Sequence, residues 1–154
     1  MELANLLNPA FCALLLQDAA HGYQASSGQG LPYALAYLVL PIVLYPPARQ
    51  ALPKSTAAIL TAWVQEHPAL QFQVATRTLW MVLYAREAVL FGLQHHLLGV
   101  DDNGGLVAEG RRAQSLFPAE SEPDACRRAA GLIGRWFGKT PDPSQVLKMW
   151  GLRP

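Results

Sequence analysis

The sequence predicts a mainly α-helical fold: a compact single domain over residues 1–154, built around one long central helix and carrying a small β-hairpin. The long helix is predicted from Phe72–Leu98, the longest stretch without proline or a cluster of turn residues. Further helices are predicted where a capping residue precedes proline, as at Asn8-Pro9. The hairpin is predicted from Asn103-Gly104, a strong turn signal between two short apolar runs.

Four helices are predicted before the long one. Asn8 can cap the first helix, and Pro32 lies in the first turn of the second. The second helix is apolar nearly all round, which predicts a buried position, and Pro41 should kink or end it. The predicted spans are Pro9–Gln24, Leu31–Leu44, Pro47–Leu52 and Thr56–Glu66.

The long helix has two different faces at about 100° per residue. The first face is aliphatic and is predicted to be core; it carries Ala75, Leu79, Val82, Val89, Leu90, Leu93 and Leu97. The second mixes aromatic and polar residues; it carries Gln73, Arg77, Trp80, Tyr84, Glu87, Phe91 and Gln94. One interpretation buries these aromatic rings beneath the C-terminal segment, because aromatic stripes usually pack internally. The other makes the face a partner-binding surface formed by Arg77, Trp80, Tyr84, Glu87 and Phe91.

After the long helix the sequence predicts the hairpin, over about Val100–Val107, and two more helices. The first of these helices spans Asp124–Phe137, although Gly131 and Gly134 lower its helix propensity. The last helix is short and is predicted over Pro143–Trp150.

The composition is apolar for a free-standing domain. Apolar residues make up 51 % of the chain and charged residues 15 %, against about a quarter charged in an average domain. This predicts either a large core or an apolar surface that another chain covers. The formal net charge of +1 excludes strong overall electrostatic steering. Residues 1–110 hold four basic and seven acidic residues, net −3, whereas residues 111–154 hold eight and four, net +4.

The sequence predicts a cytoplasmic protein without a membrane span. Cys12 and Cys126 are far apart in the sequence and in no metal-binding pattern, as expected of buried thiols in a reducing compartment. The N-terminus lacks the basic region of a secretory signal. The apolar run Pro32–Leu44 is too short to span a membrane, and the long helix carries charged residues that make a membrane position costly.

No catalytic constellation is visible in the sequence, so we expect no enzymatic activity, no metal ion and no cofactor. Asp101 and Asn103 resemble the start of a calcium loop, but position 6 of that loop would be Leu106 and position 12 would be Arg112. Gly28-Gln29-Gly30 at a helix start could bind a phosphate, although the remainder of a nucleotide-binding pattern is missing.

An alternative interpretation is a winged-helix DNA-binding regulator. Helices followed by a hairpin match the element order of that class, and the basic C-terminal segment could contact phosphates. The hairpin tip, however, carries Asp101 and Asp102, which repel phosphate, and the long helix offers DNA only Arg77 and Arg86. We therefore expect any DNA contact to be weak or indirect.

Several short motifs, in order along the chain, resemble one family. They are Asn8-Pro9-Ala10-Phe11-Cys12, Gly30-Leu31-Pro32, Leu38-Val39-Leu40-Pro41, Leu52-Pro53-Lys54-Ser55-Thr56 and Gly151-Leu152-Arg153-Pro154. Together they resemble the middle component of bacterial three-component ABC systems, and the resemblance covers nearly the whole chain.

This resemblance implies a small accessory protein made beside an SMC/Rad50-like ABC ATPase and an effector subunit with a toxic or nuclease-type domain. It also implies a role against phages and other mobile elements. The middle component is then expected to be a non-catalytic adaptor that joins the ATPase to the effector. The apolar excess would also allow self-association. The resemblance supplies no catalytic residues to carry over to this chain.

Overall fold

A computed structural model describes residues 7–110, 116–140 and 142–152 of the chain. Within these ranges the helices and strands follow in this order: α1 (Pro9–Ser27), α2 (Tyr33–Val43), α3 (Pro46–Ala51), α4 (Leu60–Glu66), α5 (Pro68–Trp80), α6 (Val82–Gln94), β1 (Leu98–Val100), β2 (Leu106–Ala108), α7 (Glu122–Gly138) and α8 (Pro143–Met149). Helices make up 66 % of the structure and the two strands form an antiparallel hairpin, which confirms the predicted fold class.

The long helix at the centre of the fold is α1, not the predicted helix over Phe72–Leu98. That stretch contributes to two helices, α5 and α6, which meet at Met81 with φ −91° and ψ 3°. Met81 still donates its N–H to the Arg77 carbonyl at 2.9 Å and accepts from Ala85 at 3.0 Å, so the two helices run end to end. The break has a packing reason, because α5 lies against α2 whereas α6 lies mainly against α1.

Helix α1 packs most extensively against α7, and glycines bring the two backbones together. A Cβ atom on Gly134 would overlap the backbone of Ala19, and one on Gly22 would lie 2.5 Å from the Gly131 carbonyl oxygen. Gly134, which lowers the helix propensity of α7, and Gly22 of α1 are therefore residues that allow this close contact.

A buried ion pair also joins α1 to α7. Arg127 donates from Nε and Nη2 to the two carboxylate oxygens of Asp18, at 2.8 Å and 3.0 Å, and the Asp18 side chain is fully buried. The bidentate geometry offsets the cost of removing both charges from water. Arg127 is therefore an interior residue, although it belongs to the basic C-terminal part of the sequence.

Three of the four tryptophans form one buried cluster. The centroid of the Trp63 ring lies 5.6 Å from that of Trp136 and 6.1 Å from that of Trp150. The Trp136 indole donates to the Ala58 carbonyl at 2.7 Å, and the Trp63 indole donates to the Ala51 carbonyl at 3.2 Å. Because the rings come from α4, α7 and the residue after α8, the cluster holds both C-terminal helices on the domain.

The predicted hairpin is attached to the first part of the fold by several hydrogen bonds. Leu31 pairs with Leu106 through two backbone hydrogen bonds of 2.8 Å and 2.7 Å, which adds an isolated bridge to the two strands. Gln17 of α1 donates from Nε2 to the Glu109 carbonyl at 2.8 Å. The base of the hairpin is therefore held against α1.

The helix starts agree with the predicted ones at Pro9 and Pro143 and differ at the other helices, which begin at Tyr33, Pro46, Leu60, Pro68, Val82 and Glu122. Asn8 caps α1 as predicted, since its Oδ1 accepts a backbone N–H at 2.8 Å. Helix α4 begins at Leu60 and not at Thr56. Helix α7 is capped by Ser121, whose Oγ accepts the Asp124 N–H at 3.4 Å, so Asp124 lies within the first turn and not at the cap.

Candidate protein-binding surface on helices α5 and α6

Mostly small residues form the side of α5 and α6 that faces the core. The buried positions are Val74, Thr78, Met81, Ala85, Ala88, Val89 and Gly92. Helix α6 lies mainly against α1, and a Cβ atom on Gly92 would lie 2.7 Å from a methyl group of Leu98 in β1, so small residues on this side allow close packing. The predicted aliphatic core face is therefore wrong for Leu79 and Leu90, which are exposed on the outside of these helices.

The aromatic residues Trp80 and Tyr84 lie at the surface. Trp80 is 45 % exposed and Tyr84 37 % exposed, so neither belongs to the core. Their rings pack edge to face, with centroids 6.0 Å apart and planes at 89°. This contact holds the two rings in a defined orientation relative to each other. The interpretation that buries them beneath the C-terminal segment is wrong.

The C-terminal segment lies beside a different side of α5. Trp150 and Leu152 line one side of an apolar groove of about 440 Å³, and Phe72 and Leu79 line the other. A hydrogen bond from Gln71 Nε2 to the Met149 carbonyl fixes the segment there. As far as Leu152, where the described part of the segment ends, it therefore covers neither Trp80 nor Tyr84.

The other three residues of the predicted surface have different environments. Glu87 is exposed, and Phe91 is partly buried and stacks on His95 with ring centroids 4.0 Å apart. Arg77 is also partly buried, and its guanidinium lies 3.9 Å from the centroid of the Tyr45 ring. This cation–π contact fixes the Arg77 side chain against Tyr45, the residue that precedes α3. The surface is therefore open at Trp80, Tyr84 and Glu87 and bordered by Arg77 and Phe91.

A second exposed stripe on the same helices was missed by the sequence analysis. It consists of Phe72, Leu79, Leu83 and Leu90, which are 57–71 % exposed. Their spacing of seven, four and seven residues is a signal that the sequence does contain, because this spacing places all four side chains along one line of a helix. Large leucines mark the exposed side of these helices, and small alanines mark the buried side.

The hairpin tip is closed by one carboxylate. The two oxygens of Asp101 accept backbone N–H groups of Asn103 at 2.9 Å, Gly105 at 2.8 Å and Gly30 at 3.1 Å. These hydrogen bonds, that from Gly105 foremost, lower the pKa of Asp101 because they stabilise its charged form. The same contacts use the Gly30 N–H that a phosphate site would need. Both the carboxylate and the glycine loop therefore have structural roles in the hairpin.

The basic residues of α7 and its C-terminal end are largely engaged within the chain. Arg127 pairs with Asp18, Arg128 lies 3.0 Å from Asp124, and Lys139 donates to the Thr56 carbonyl at 3.3 Å. The order of helices and hairpin, with the added Leu31 bridge, agrees with the winged-helix alternative. The outer side of α5 and α6 disagrees with that alternative. A helix that reads DNA presents polar and basic groups, whereas α5 and α6 present large apolar side chains.

Residues 7–110, 116–140 and 142–152 contain no group of three or more histidine, cysteine, aspartate or glutamate side chains that could hold a metal ion. Within the same ranges, no helix combines the length and the apolar character needed to cross a bilayer. Both cysteines lie in the core, where burial raises the pKa of the Cys12 thiol to about 12 and also raises the pKa of Cys126.

A family model described as ABC-three component (ABC-3C) system Middle Component 3 matches residues 1–154, the whole chain. No curated protein matches the chain, and no solved structure does.

Proposed function

Since the chain belongs to the middle component 3 family of ABC-three component systems, we propose that it is a non-catalytic adaptor subunit. In this proposal it links an SMC/Rad50-like ABC ATPase to an effector subunit in a bacterial system that acts against phages or mobile elements. The partner-binding surface consists of Arg77, Trp80, Tyr84, Glu87 and Phe91.

The observation that carries the proposal is the exposure of Trp80 and Tyr84 on a surface that nothing in the described chain covers. Tryptophan and tyrosine are enriched among the residues that dominate interface energies, because each supplies a large apolar area and one polar group. The edge-to-face contact between the two rings reduces the freedom that they lose on binding. These features suit a preformed docking surface for another protein.

The flanking charges are suited to orientation and not to affinity. Glu87 is exposed, so a charge pair formed there would be partly solvated and would contribute little to the binding free energy. Arg77 is already held on the Tyr45 ring and needs no ordering when a partner binds. In this proposal, Arg77 and Glu87 set the position of the partner along α5 and α6.

Co-purification of the three components tests the bridging role. The effector would be tagged, and the ATPase recovered with it would be measured with this chain present and with it left out. The adaptor role predicts that the ATPase is retained only when the chain is present. Equal recovery of the ATPase without the chain would contradict bridging. As a control, the Ile59→Glu variant should bridge as well as the wild type, because Ile59 is exposed but lies before α4, outside the proposed surface.

The element order that favours the winged-helix alternative makes a DNA-binding measurement a useful second test. The adaptor role predicts no duplex binding by the isolated chain that is tight and falls steeply with salt concentration. A DNA-binding regulator would show both, because neutralised phosphates release counterions. If the chain binds duplex DNA with a steep salt dependence, and Arg86→Ala abolishes that binding, the DNA-binding regulator would be the correct function and the adaptor role would be rejected.

A further inference from the structure

The exposed aliphatic stripe is nearly symmetric about the junction of α5 and α6. Phe72 and Leu90 lie nine residues before and after Met81, and Leu79 and Leu83 lie two residues before and after it. All four side chains point outward and are 57–71 % exposed. A surface with this symmetry is complementary to itself when two copies meet in opposite directions, as an isologous twofold contact requires.

We propose that this stripe is the contact between two copies of the chain. In the dimer, α5 and α6 of one copy lie antiparallel to α5 and α6 of the other, with the twofold axis at Met81. Leu79 of each copy then faces Leu83 of the second copy, and Phe72 faces Leu90. The junction of α5 and α6 at Met81 lies on the twofold axis in both copies. A bend at this junction would therefore occur at the same place in each copy.

The charges along α5 and α6 favour the antiparallel arrangement over a parallel one. Positions at equal distances from Met81 face each other, so Arg86 meets Thr76 and Glu87 meets Ala75. A parallel pair would instead set Arg86 against Arg86 and Glu87 against Glu87, and like charges repel. The residues between Arg77 and Arg86 are all uncharged, so no charge lies close to the axis.

The available surface is of the size that a small dimer needs. The stripe from Phe72 to Leu90 is about 27 Å long at about 1.5 Å per residue. The smallest specific interfaces bury about 600 Å² from each partner. One aromatic side chain can supply about 150–250 Å² of this area. Phe72 is the aromatic side chain of the stripe, and the three leucines, each more than half exposed, supply most of the remainder.

The dimer contact is separate from the proposed partner-binding surface. At about 100° per residue, Trp80 and Tyr84 lie about 80–120° around the helix from the aliphatic stripe. Pairing through the stripe would therefore leave both aromatic rings accessible, and each dimer would present two such surfaces. Loss of the dimer and loss of partner binding are for this reason separate outcomes that can be measured on different variants.

Sedimentation equilibrium of the purified full chain over micromolar concentrations tests the proposal. The wild type should have twice its monomer mass of 16.8 kDa. Leu79→Glu and Leu83→Lys should each raise the dimer dissociation constant by at least about tenfold, because a charge would face an apolar side chain. Ile59→Glu is the matched control, since Ile59 and Leu79 are both 71 % exposed and only Leu79 lies on the stripe.

Mixing the two charged variants tests the register. In the antiparallel pair, Glu at position 79 of one copy faces Lys at position 83 of the other, so an equimolar mixture should regain the dimer as a heterodimer. A parallel pair offers no such contact, and its mixture would stay monomeric. A monomeric wild type, an unchanged dimer in Leu79→Glu, or a mixture that fails to associate would each overturn the proposal. In the first case the stripe belongs to a different protein.

Discussion

Two groups of aromatic residues in this chain have opposite environments. Trp63, Trp136 and Trp150 come from different parts of the chain and meet in the core, where two of the indoles donate to backbone carbonyls. Trp80 and Tyr84 come from adjacent turns, contact each other and remain exposed. The comparison shows that an aromatic residue contributes to folding when several elements converge on it. Trp80 and Tyr84 instead lie at the junction of α5 and α6 and keep part of their surface exposed.

The largest effect is expected from Trp136→Ala. The ring is almost completely buried in the tryptophan cluster, and its removal leaves a cavity and the Ala58 carbonyl without its donor. The free energy of unfolding should fall by about 3–5 kcal/mol. Trp80→Ala should cost less than about 1 kcal/mol, as a substitution on the surface does. Chemical denaturation of both variants measures the difference, and equal losses would remove the distinction between the two groups.

The next effect tests the contact of α1 with α7 that positions the buried cluster. Gly134→Ala should destabilise the protein by about 1–3 kcal/mol, because its Cβ would overlap the backbone of Ala19, which cannot rotate away. Helix propensity alone predicts the opposite sign, a gain of about 1 kcal/mol. The sign of the change in urea denaturation therefore decides whether the close contact exists.

A smaller effect depends on pH. Burial raises the pKa of Cys12 from 9.0 to about 12, so the folded protein holds the thiol proton more tightly than the unfolded chain does. This contribution to stability is complete below pH 9 and is lost as the pH rises toward 12. Between pH 8 and pH 10, the free energy of unfolding of the wild type should fall by about 1 kcal/mol more than that of Cys12→Ala. Parallel losses in both proteins at pH 10 would show that Cys12 is accessible to water.

The comparison also shows how far the sequence could lead. Capping at Asn8, the apolar second helix and the Asn103-Gly104 turn predicted the fold class correctly, because each depends on local backbone chemistry. The position of the long central helix was wrong, because α5 and α6 pack on different partners and the helix is interrupted at Met81. Local signals do not contain such tertiary preferences.

The sequence identified the aromatic residues of the candidate surface but not which side of the helix faces the core. Helical periodicity separates two faces and does not say which is buried. The expectation that leucines point inward failed at Leu79 and Leu90, because the buried side of α6 is formed by small residues such as Ala85, Ala88 and Gly92. Small residues at this spacing could have indicated the buried side.

Tyr84→Ala tests the central claim most directly, when stability and binding are measured on one preparation. As a surface residue, Tyr84 should contribute little to folding, so the free energy of unfolding should change by less than about 0.5 kcal/mol. The ATPase and the effector are titrated separately, and affinity for the one that binds this surface should fall by about 2 kcal/mol, or about 30-fold. Tyr33→Ala, at a tyrosine of similar exposure on α2, should change neither quantity much. A loss of about 3–5 kcal/mol in stability before any partner is added would contradict the account.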